Sequence, residues 1–297
     1  MSQKTLQPEK LSVDPTLALS AGIEGRRRFV PAPYKVISYI IVLVFAILYI
    51  VPLLYLLNVA LKSPEEFLND PVGITKSLNW GNFGEAWDQA HFASYLLNSV
   101  IYTAASTFLH VLFALMVAYP IARGFVKWGG FLSTLFLASL FLPNNLIPQF
   151  QLVKALNLYN TQIGYILLTS SVGLAPFLIM GYLKTVPKEL DEAAAIDGCG
   201  YFRCMFTIIT PLIKPILITA AILHAIGVWN DIIGPTIYLT NPDYFPISLG
   251  LNAFKGEYSS NITGMGAATL IAIAPLIVVY LFCQKYFIEG AVAGAVK

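Results

Sequence analysis

The chain has 297 residues, of which 57% are hydrophobic and only 11% are charged, and its formal net charge is +2. Soluble domains carry a charge on roughly a quarter of their residues, so this composition excludes an ordinary soluble domain. It indicates a membrane protein whose surface is in contact with lipid. The small net charge gives no indication of nucleic acid binding.

Six apolar stretches are long enough to cross a bilayer, since a membrane-spanning helix needs about 20 mostly apolar residues. The third stretch carries Pro143, Asn144, Asn145 and Pro148, which predicts a short or broken span whose polar groups face other helices or a cavity. We therefore predict an all-α membrane protein with six spans at about Ile37–Leu57, Leu97–Ala122, Phe131–Phe150, Ile163–Leu183, Phe206–Trp229 and Met265–Phe287.

The two ends of the chain lie outside these spans. Residues 1–35 are polar, contain prolines and lack apolar periodicity, which predicts a loosely ordered tail. The membrane domain then occupies residues 36–289, and residues 290–297 form a C-terminal tail of small side chains. By itself such a tail is typical of a frayed chain end.

Basic residues orient the spans, because Lys and Arg collect in cytoplasmic loops. Both tails and the link between spans 4 and 5 fall on the basic side, so we predict that they are cytoplasmic. Among the 18 Lys and Arg residues, the ones on the opposite side are Lys62, Lys76, Lys154 and Lys255.

The link between spans 4 and 5 contains a polar island, Lys188–Gly198, with five charged residues in eleven. Pro187 suits the start of a helix. Acids at Glu189, Asp191 and Glu192 suit the positive end of its dipole. The island therefore predicts a short surface helix.

Two features of this helix suit a partner protein. Gly198 and Gly200 can end it in a left-handed conformation. Its small side chains would let another backbone come close, although a solvated loop between helices is the alternative reading. By the spacing i, i+3, i+4 and i+7, one face is predicted to hold Leu190, Ala193, Ala194 and Asp197.

Polar groups inside or beside the spans are candidates for a translocation path. Asn145 is a candidate pore or interhelix group. Trp229, Asn230 and Asp231 end span 5, where the alternatives are a bilayer anchor and a turn cap. Two histidines lie within spans, and we expect them to be neutral and bonded to neighbouring helices: His110 and His224.

The island carries a recognisable motif. Glu192-Ala193-Ala194, Gly198, Ile208 and Pro211 resemble the EAA motif of ABC importer permeases, EAA-x3-G-x9-I-x-L-P, with matching spacing. Thr210 stands where that pattern has Leu, and this departure has no functional account at this point. Further segments are similar to the smaller permease subunit of maltose-type systems, in the carbohydrate-importer branch: Leu156–Thr161, Trp229–Asp231 and Lys285–Lys297.

The resemblance runs from about Ile37 to the C-terminus and implies a type I importer permease in a bacterial or archaeal cytoplasmic membrane. The loop of about 187–211 would hold a cytoplasmic coupling helix that seats in an ABC ATPase dimer. The partners implied are that ATPase, a second related permease and an extracytoplasmic solute-binding protein. The sequence contains no G-x-x-x-x-G-K-[ST] phosphate loop, so this chain would be noncatalytic and bind no cofactor, with ATP and Mg²⁺ on the ATPase.

The resemblance also implies roles for particular residues. In the coupling helix, Glu192 would pair with a donor in the ATPase cleft. The C-terminal tail, with Gly290, Gly294 and Lys297, would enter the ATPase dimer interface. The loop after span 5 would reach toward the sugar site of the binding protein. Close seating in the cleft would depend on Ala193, Ala194 and Gly198, and contacts of the loop would come from Tyr244, Phe245 and Tyr258.

Other classes fit the sequence less well. A secondary, ion-coupled transporter is the first alternative, but it would need acidic groups within the spans, which are missing. An intramembrane enzyme would need a matched set of catalytic side chains, and the histidines and Cys283 form no convincing set. A purely structural subunit would explain the hydrophobicity but not the EAA spacing.

Overall fold

A computed structural model describes residues 32–89, 91–142, 146–254 and 261–295. Within these ranges the regular structure is helical and contains no strand. The chain divides into two units, Met1–Leu53 and Leu54–Lys297. The predictions of a loose N-terminal tail, as far as residue 31, and of roles for Asn145, Tyr258 and Lys297 concern positions outside the described residues.

The helices follow one another along the chain with short connections. Two 3₁₀ turns, Pro242–Tyr244 and Leu251–Phe254, and one π-helical segment, Cys204–Ile209, interrupt the series. The α-helices of the described residues are α1 (Ala32–Leu61), α2 (Pro64–Asn69), α3 (Gly81–Gln89), α4 (Phe92–Arg123), α5 (Gly129–Ser139), α6 (Leu146–Ala155), α7 (Gln162–Thr169), α8 (Ala175–Leu183), α9 (Glu189–Ile196), α10 (Tyr201–Arg203), α11 (Thr210–Leu212), α12 (Lys214–Trp229), α13 (Ile233–Tyr238), α14 (Ile247–Gly250) and α15 (Ile262–Ala295).

Among the described residues, three unbroken helices are long and apolar enough to cross a membrane: Tyr34–Leu61, Phe92–Arg123 and Ile262–Phe282. The described part of the first unit is the beginning of α1, whose side chains from Tyr34 to Phe45 are exposed. A helix that is apolar all round requires lipid or another protein around it.

Predicted span 5 is one continuous path with a sharp bend. Tyr201–Leu212 and Lys214–Trp229 pass the length and hydropathy test together, but their axes differ by 84°. Pro211 and Pro215 flank the bend, and prolines remove backbone donors inside a helix. These prolines therefore explain a bend at the start of span 5.

Predicted spans 3 and 4 each consist of two helices. Span 3 corresponds to α5, which ends at Ser139, and α6, which begins at Leu146. Span 4 was expected to be one continuous stretch, but it is interrupted between Thr169 and Ala175. Gly173 in that gap has φ +44°, and Pro176 disfavours helix before it.

The break in span 4 exposes backbone carbonyl groups that two histidine rings reach. His224 donates from Nε2 to the carbonyl of Thr169 at 2.9 Å, and its Nδ1 accepts from the hydroxyl of Thr107 at 3.0 Å. His110 bonds the carbonyl of Ser171 through Nδ1. The two rings stack with centroids 3.9 Å apart. Backbone carbonyls that a helix break frees need hydrogen-bond partners, and here the two histidines supply them.

The main core of the second unit lies where α4 packs against α8 and α12. Small side chains, Ala114 and Ala118, are fully buried on α4 and let the neighbouring helices approach closely. The same core includes Ala194 of α9 and Met205 of the π-helical segment. The short α9 is therefore attached to the helix bundle by burial as well as by the chain.

Candidate functional site

The polar island forms the predicted short helix, α9, although it begins at Glu189, two residues after Pro187. Lys188 precedes it in a helical conformation and caps it with no side-chain hydrogen bond. Its first turn holds three acids, Glu189, Asp191 and Glu192, as predicted. These carboxylates lie near the unbonded N–H groups at the positive end of the helix dipole.

The C-terminal end of α9 forms a Schellman motif around Gly198. Gly198 has φ +72°, and its N–H donates to the carbonyl of Ala195 at 3.1 Å. The N–H of Cys199 donates to the carbonyl of Ala194 at 2.8 Å, which completes the motif. The prediction of a left-handed cap is confirmed at Gly198. It is wrong for Gly200, which is extended at φ −68° and ψ 158° and begins α10.

A buried ion pair holds α9 against the end of α4. Nη2 of Arg123 lies 2.8 Å from Oδ2 of Asp191, and the two side chains are 3% and 11% exposed. The two atoms form an ion pair without a hydrogen bond between them. Tyr119, one turn before Arg123, donates its hydroxyl to Oδ1 of Asp191 at 2.6 Å. Both carboxylate oxygens thus face α4.

The same arginine also ties down the link that leads into the island. Nη1 of Arg123 donates to the carbonyl of Val186 at 2.8 Å and to that of Leu183 at 3.3 Å. These are carbonyls at the end of α8 and just after it. One guanidinium therefore connects α4, the end of α8 and α9, so that α9 is tied to the bundle by side-chain bonds as well as by the chain.

Sequence reasoning missed this connection. Asp191 was interpreted only through the helix dipole, and Arg123 only as one of the basic residues that set orientation. The sequence gives only a weak indication that Tyr119 and Arg123 share a partner: they are spaced i and i+4, on one face at the end of a long apolar helix. Their shared partner lies 72 residues beyond Tyr119, and no local pattern points to it.

The faces of α9 differ from the predicted ones. Ala194, predicted on a face with Leu190, Ala193 and Asp197, is only 5% exposed and packs into the chain's own core. That face is therefore not a single surface. The small side chain of Ala194 allows α9 to lie close to the bundle. Ala193 and Asp197, by contrast, are exposed to solvent.

The outward face of α9 carries a large apolar side chain that the sequence pattern did not single out. Ile196, the last residue of α9, is 86% exposed. The helical spacing places it beside Glu189, Glu192 and Ala193, all of which are exposed. We name these four residues the docking face. An apolar group ringed by acids is suited to a protein partner with an apolar hollow and a basic rim.

Aromatic rings support the chain where it leaves α9. The ring of Tyr119 lies 5.4 Å from that of Tyr201 and 5.7 Å from that of Phe125, measured between centroids. Tyr201 in turn contacts Phe202 at 5.2 Å. Tyr119 therefore positions both α9, through Asp191, and the start of α10.

At the other end of α12, Trp229 is a buried packing residue. Its indole is 9% exposed, and Nε1 donates to the carbonyl of Ala272 on α15 at 3.2 Å. The same ring lines an apolar cavity of about 490 Å³ between α4, α12 and α15. Asn230 is exposed and donates to the carbonyl of Ile226. The structure thus gives Trp229 a role in helix packing.

Asp231 fastens the loop after α12. Its Oδ1 accepts from the N–H of Gly234 at 2.9 Å, and its Oδ2 accepts from the hydroxyl of Tyr165 at 2.9 Å. Its carbonyl accepts from Ser248 at 2.7 Å. Asp231 therefore caps a turn, which was one of the alternatives considered, and also joins that turn to α7 and α14.

We expect Asp231→Ala to lower the free energy of unfolding by about 1–3 kcal/mol, because it leaves the hydroxyl of Tyr165, a residue only 2% exposed, without its acceptor. Thermal unfolding of the purified chain in detergent measures the change. Asp243→Ala is the matched control, since that carboxylate is exposed on the same loop. Equal stability of the two variants would show that the hydrogen bonds of the Asp231 carboxylate do not stabilise the chain.

The loop that contains Tyr244 is tied to α4 through its backbone. Tyr102 donates its hydroxyl to the carbonyl of Tyr244 at 2.8 Å, and Asn98 donates to the carbonyls of Asp243 and Phe245. The side chain of Tyr244 is half-buried. The predicted contact of this loop with a binding protein stays a prediction.

The described part of the C-terminal tail is helical, because Gly290 and Gly294 continue α15. Its predicted entry into an ATPase interface stays a prediction. Within the described ranges, no three side chains of the His, Cys, Asp or Glu type lie close enough together to hold a metal ion.

Comparison with known proteins gives consistent matches. The family model described as "Binding-protein-dependent transport system inner membrane component" matches residues 90–291. The chain is 32% identical to the melibiose/raffinose/stachyose import permease protein MelC of Bacillus subtilis (strain 168), over 86% of this chain and 94% of that protein. It is 31% identical to the arabinooligosaccharides transport system permease protein AraQ of Halalkalibacterium halodurans, over 88% of this chain and 97% of that one.

A solved structure shares the fold. It is the crystal structure of a bacterial ABC transporter involved in the import of the acidic polysaccharide alginate, and its matching chain aligns with a TM-score of 0.78. The alignment covers 86% of this chain and 96% of the other, at 20% sequence identity. The helices of this chain are thus arranged as in a chain of that transporter.

Proposed function

This chain belongs to the family of binding-protein-dependent transport system inner membrane components, and we propose that it is a membrane-spanning permease subunit of an ATP-driven importer of sugars or oligosaccharides. The observation that carries this proposal is that relatives matched over nearly their whole length are permeases of oligosaccharide import or transport systems. The docking face on α9 supports it, because such a permease needs a surface that receives force from a separate ATPase.

In this proposal the chain crosses the membrane six times with both termini in the cytoplasm. The pair α5 and α6, the pair α7 and α8, and the bent path from α10 to α12 each act as one broken span. The histidine bonds to the break in span 4 support this assignment, because interrupted helices need such partners at membrane depth.

The chain itself is noncatalytic in this proposal, and ATP and Mg²⁺ are bound by a cytoplasmic ATPase dimer. The coupling helix is α9, whose docking face enters a cleft of that ATPase, and the end of α15 extends toward the ATPase dimer interface. A second, related permease completes the pore, and an extracytoplasmic solute-binding protein delivers the sugar. The attachment of α9 through Arg123 and Asp191 supports this role, since movement of the cleft would pass directly to α4 and α8.

We expect Ile196→Ser to weaken binding of the ATPase by about tenfold or more, because burying an isoleucine at an interface contributes about 1.5–3 kcal/mol. The stability of the permease chain should change little, since the side chain is 86% exposed. Retention of the ATPase during purification of the tagged permease, and a titration of the two purified components, measure the effect.

Ile74→Ser is the matched control for this experiment. Ile74 is also 86% exposed, but it lies between α2 and α3, in a loop that the proposal places on the opposite side of the membrane. It should leave ATPase binding unchanged. Equal ATPase binding by the Ile196→Ser variant and the unchanged chain would contradict the assignment of α9 as the coupling helix.

Uptake by membrane vesicles tests the function as a whole. Vesicles with the complete complex, ATP inside and the binding protein outside should take up a labelled oligosaccharide from a panel of α-galactosides and arabinooligosaccharides. Uptake should persist after a protonophore collapses the proton gradient and should stop when ATP is omitted. A secondary transporter, an alternative to which the matches give no support, would behave in the opposite way.

A further inference from the structure

The chain between the docking helix and span 5 has an unusual backbone. After α10, residues Cys204–Ile209 form a π-helical segment, then α11 covers Thr210–Leu212, and the 84° bend comes next. π-Helical turns are rare and are frequently found at functional sites. This segment is the covalent path from α9 to α12.

Thr210 makes two hydrogen bonds that define the π register. Its backbone N–H bonds the carbonyl of Met205, five residues earlier, and its hydroxyl donates to the same carbonyl at 2.9 Å. In an α-helix the N–H of Thr210 would instead bond the carbonyl of Phe206. The backbone N–H and the hydroxyl of Thr210 therefore both donate to the carbonyl of Met205, which is the acceptor expected in a π-helical turn.

Other threonines of the region behave differently. Thr219, in the regular helix α12, donates its hydroxyl to the carbonyl of Pro215 at 3.0 Å, four residues earlier. Thr207, which lies inside the π-helical segment, also reaches back four residues, to the carbonyl of Arg203. The hydroxyl of Thr210 reaches back five residues, to the carbonyl that its own N–H bonds in the π turn, and in an α-helical turn it would have to exchange this bond for one to the carbonyl of Phe206. A leucine, the residue of the EAA pattern at this position, offers no such bond.

Both ends of the π-helical segment are packed into the core. Cys204 and Met205 are buried in the main core, as are Ile209 and Ile213. One residue more or less in a helix rotates the C-terminal part of that helix by about 100°. Conversion of the π turn to α-helix would therefore turn the start of span 5 against side chains that are already packed.

We propose that Thr210 is a positioning residue that holds the π register at Cys204–Ile209, so that movement of the docking helix is transmitted to α12. This proposal rests on the proposed function for the transmission, whereas the register is a property of the chain alone. Thr210 touches neither ATP nor sugar in this role. By fixing the π register, it fixes the rotation of the chain after Ile209 relative to the chain before Cys204.

The test compares Thr210→Val and Thr210→Ala, which remove the hydroxyl, with Thr210→Ser, which keeps it. Thr219→Val is the matched control, because it removes a hydroxyl bonded four residues back in a regular helix. All variants are made in the complete complex in membrane vesicles. Native Cys204, which is 5% exposed, reports the register by its rate of reaction with a small membrane-permeant thiol reagent after Cys199→Ser and Cys283→Ser replacement.

We expect Thr210→Val and Thr210→Ala to raise the labelling rate of Cys204 about fivefold, the factor that corresponds to one hydrogen bond of ordinary strength. The amount of sugar imported per ATP hydrolysed should fall in the same variants. Thr210→Ser should restore both quantities, and Thr219→Val should change neither. The two hydroxyl-free variants differ in bulk, so either one that assembles gives the result.

Unchanged labelling of Cys204 in an assembled hydroxyl-free variant would overturn the proposal. Faster labelling with an unchanged ratio of sugar to ATP would overturn the transmission role, as would an equal effect of Thr219→Val. If the unaltered complex imports no sugar with ATP, the proposed function is wrong and the transmission role is lost with it. The labelling rates would in that case still decide whether Thr210 holds the register.

Discussion

Asp191→Asn is expected to lower the free energy of unfolding by about 3–5 kcal/mol, because it leaves the guanidinium of Arg123 buried without its counter-charge. The apparent Tm of the purified chain in detergent should fall by about 5–15 °C. The loss should be accompanied by loss of ATPase coupling, since α9 would no longer be held against α4. Thermal unfolding and transport-coupled ATP hydrolysis measure the two effects.

Two further variants separate the buried ion pair from a general effect of removing charge from α9. Asp197→Asn changes an exposed carboxylate at the end of the same helix, so its stability should stay within about 0.5 kcal/mol of the unchanged chain. The double variant with Arg123→Met and Asp191→Leu removes the uncompensated charge and should recover part of the stability. The recovery should be incomplete, because the hydroxyl of Tyr119 and the carbonyls of Leu183 and Val186 lose these partners. An Asp191→Asn variant as stable as the unchanged chain would contradict the role of the pair.

Gly198→Glu is expected to reduce transport-coupled ATP hydrolysis at least tenfold while it lowers the stability of the chain by only about 1–2 kcal/mol. The stability loss comes from φ +72°, a conformation that a residue with a Cβ rarely adopts. Apart from its chain neighbours, no atom of the described residues lies within 4 Å of the place that a Cβ at Gly198 would occupy, so this space is open to a partner. A carboxylate there would be forced into the ATPase interface without a partner.

Gly198→Ala and Gly198→Asn distinguish the two contributions. Alanine has the same backbone strain but adds only a methyl group, so coupling should largely survive. Asparagine tolerates the left-handed conformation and adds a longer polar side chain, so it should lose less stability than alanine but more coupling. Normal coupling in the Gly198→Glu variant would show that no partner approaches the end of α9 closely.

The features predicted correctly from the sequence around the island are local ones. The acids in the first turn and the left-handed cap at Gly198 follow from neighbours within one or two helical turns. The helix starts two residues after Pro187, and Gly200 is extended, because several backbone conformations satisfy the same short pattern. Local patterns thus predicted the presence of α9 better than its limits.

The inward side of α9 could not be predicted in the same way. An i, i+3, i+4 pattern groups residues on a face, but it does not say which face meets the protein. Ala194 and Asp191 face the bundle because Arg123 and Tyr119 lie there, and those partners are far away in the sequence. The exposure of Ile196 is decided by the same arrangement.

By itself the sequence determined that this is a helical membrane protein with a polar, motif-bearing helix between its fourth and fifth apolar stretches, because hydropathy and caps are properties of neighbouring residues. Only the tertiary structure decided where the apolar stretches are interrupted, how α9 is attached and which carbonyl the hydroxyl of Thr210 bonds. Those features depend on pairing between distant groups: His224 with the break in span 4, and Arg123 with Asp191. The hydrogen bond of Thr210 to Met205 is local in sequence, but the burial of the two ends of that segment is a property of the tertiary structure.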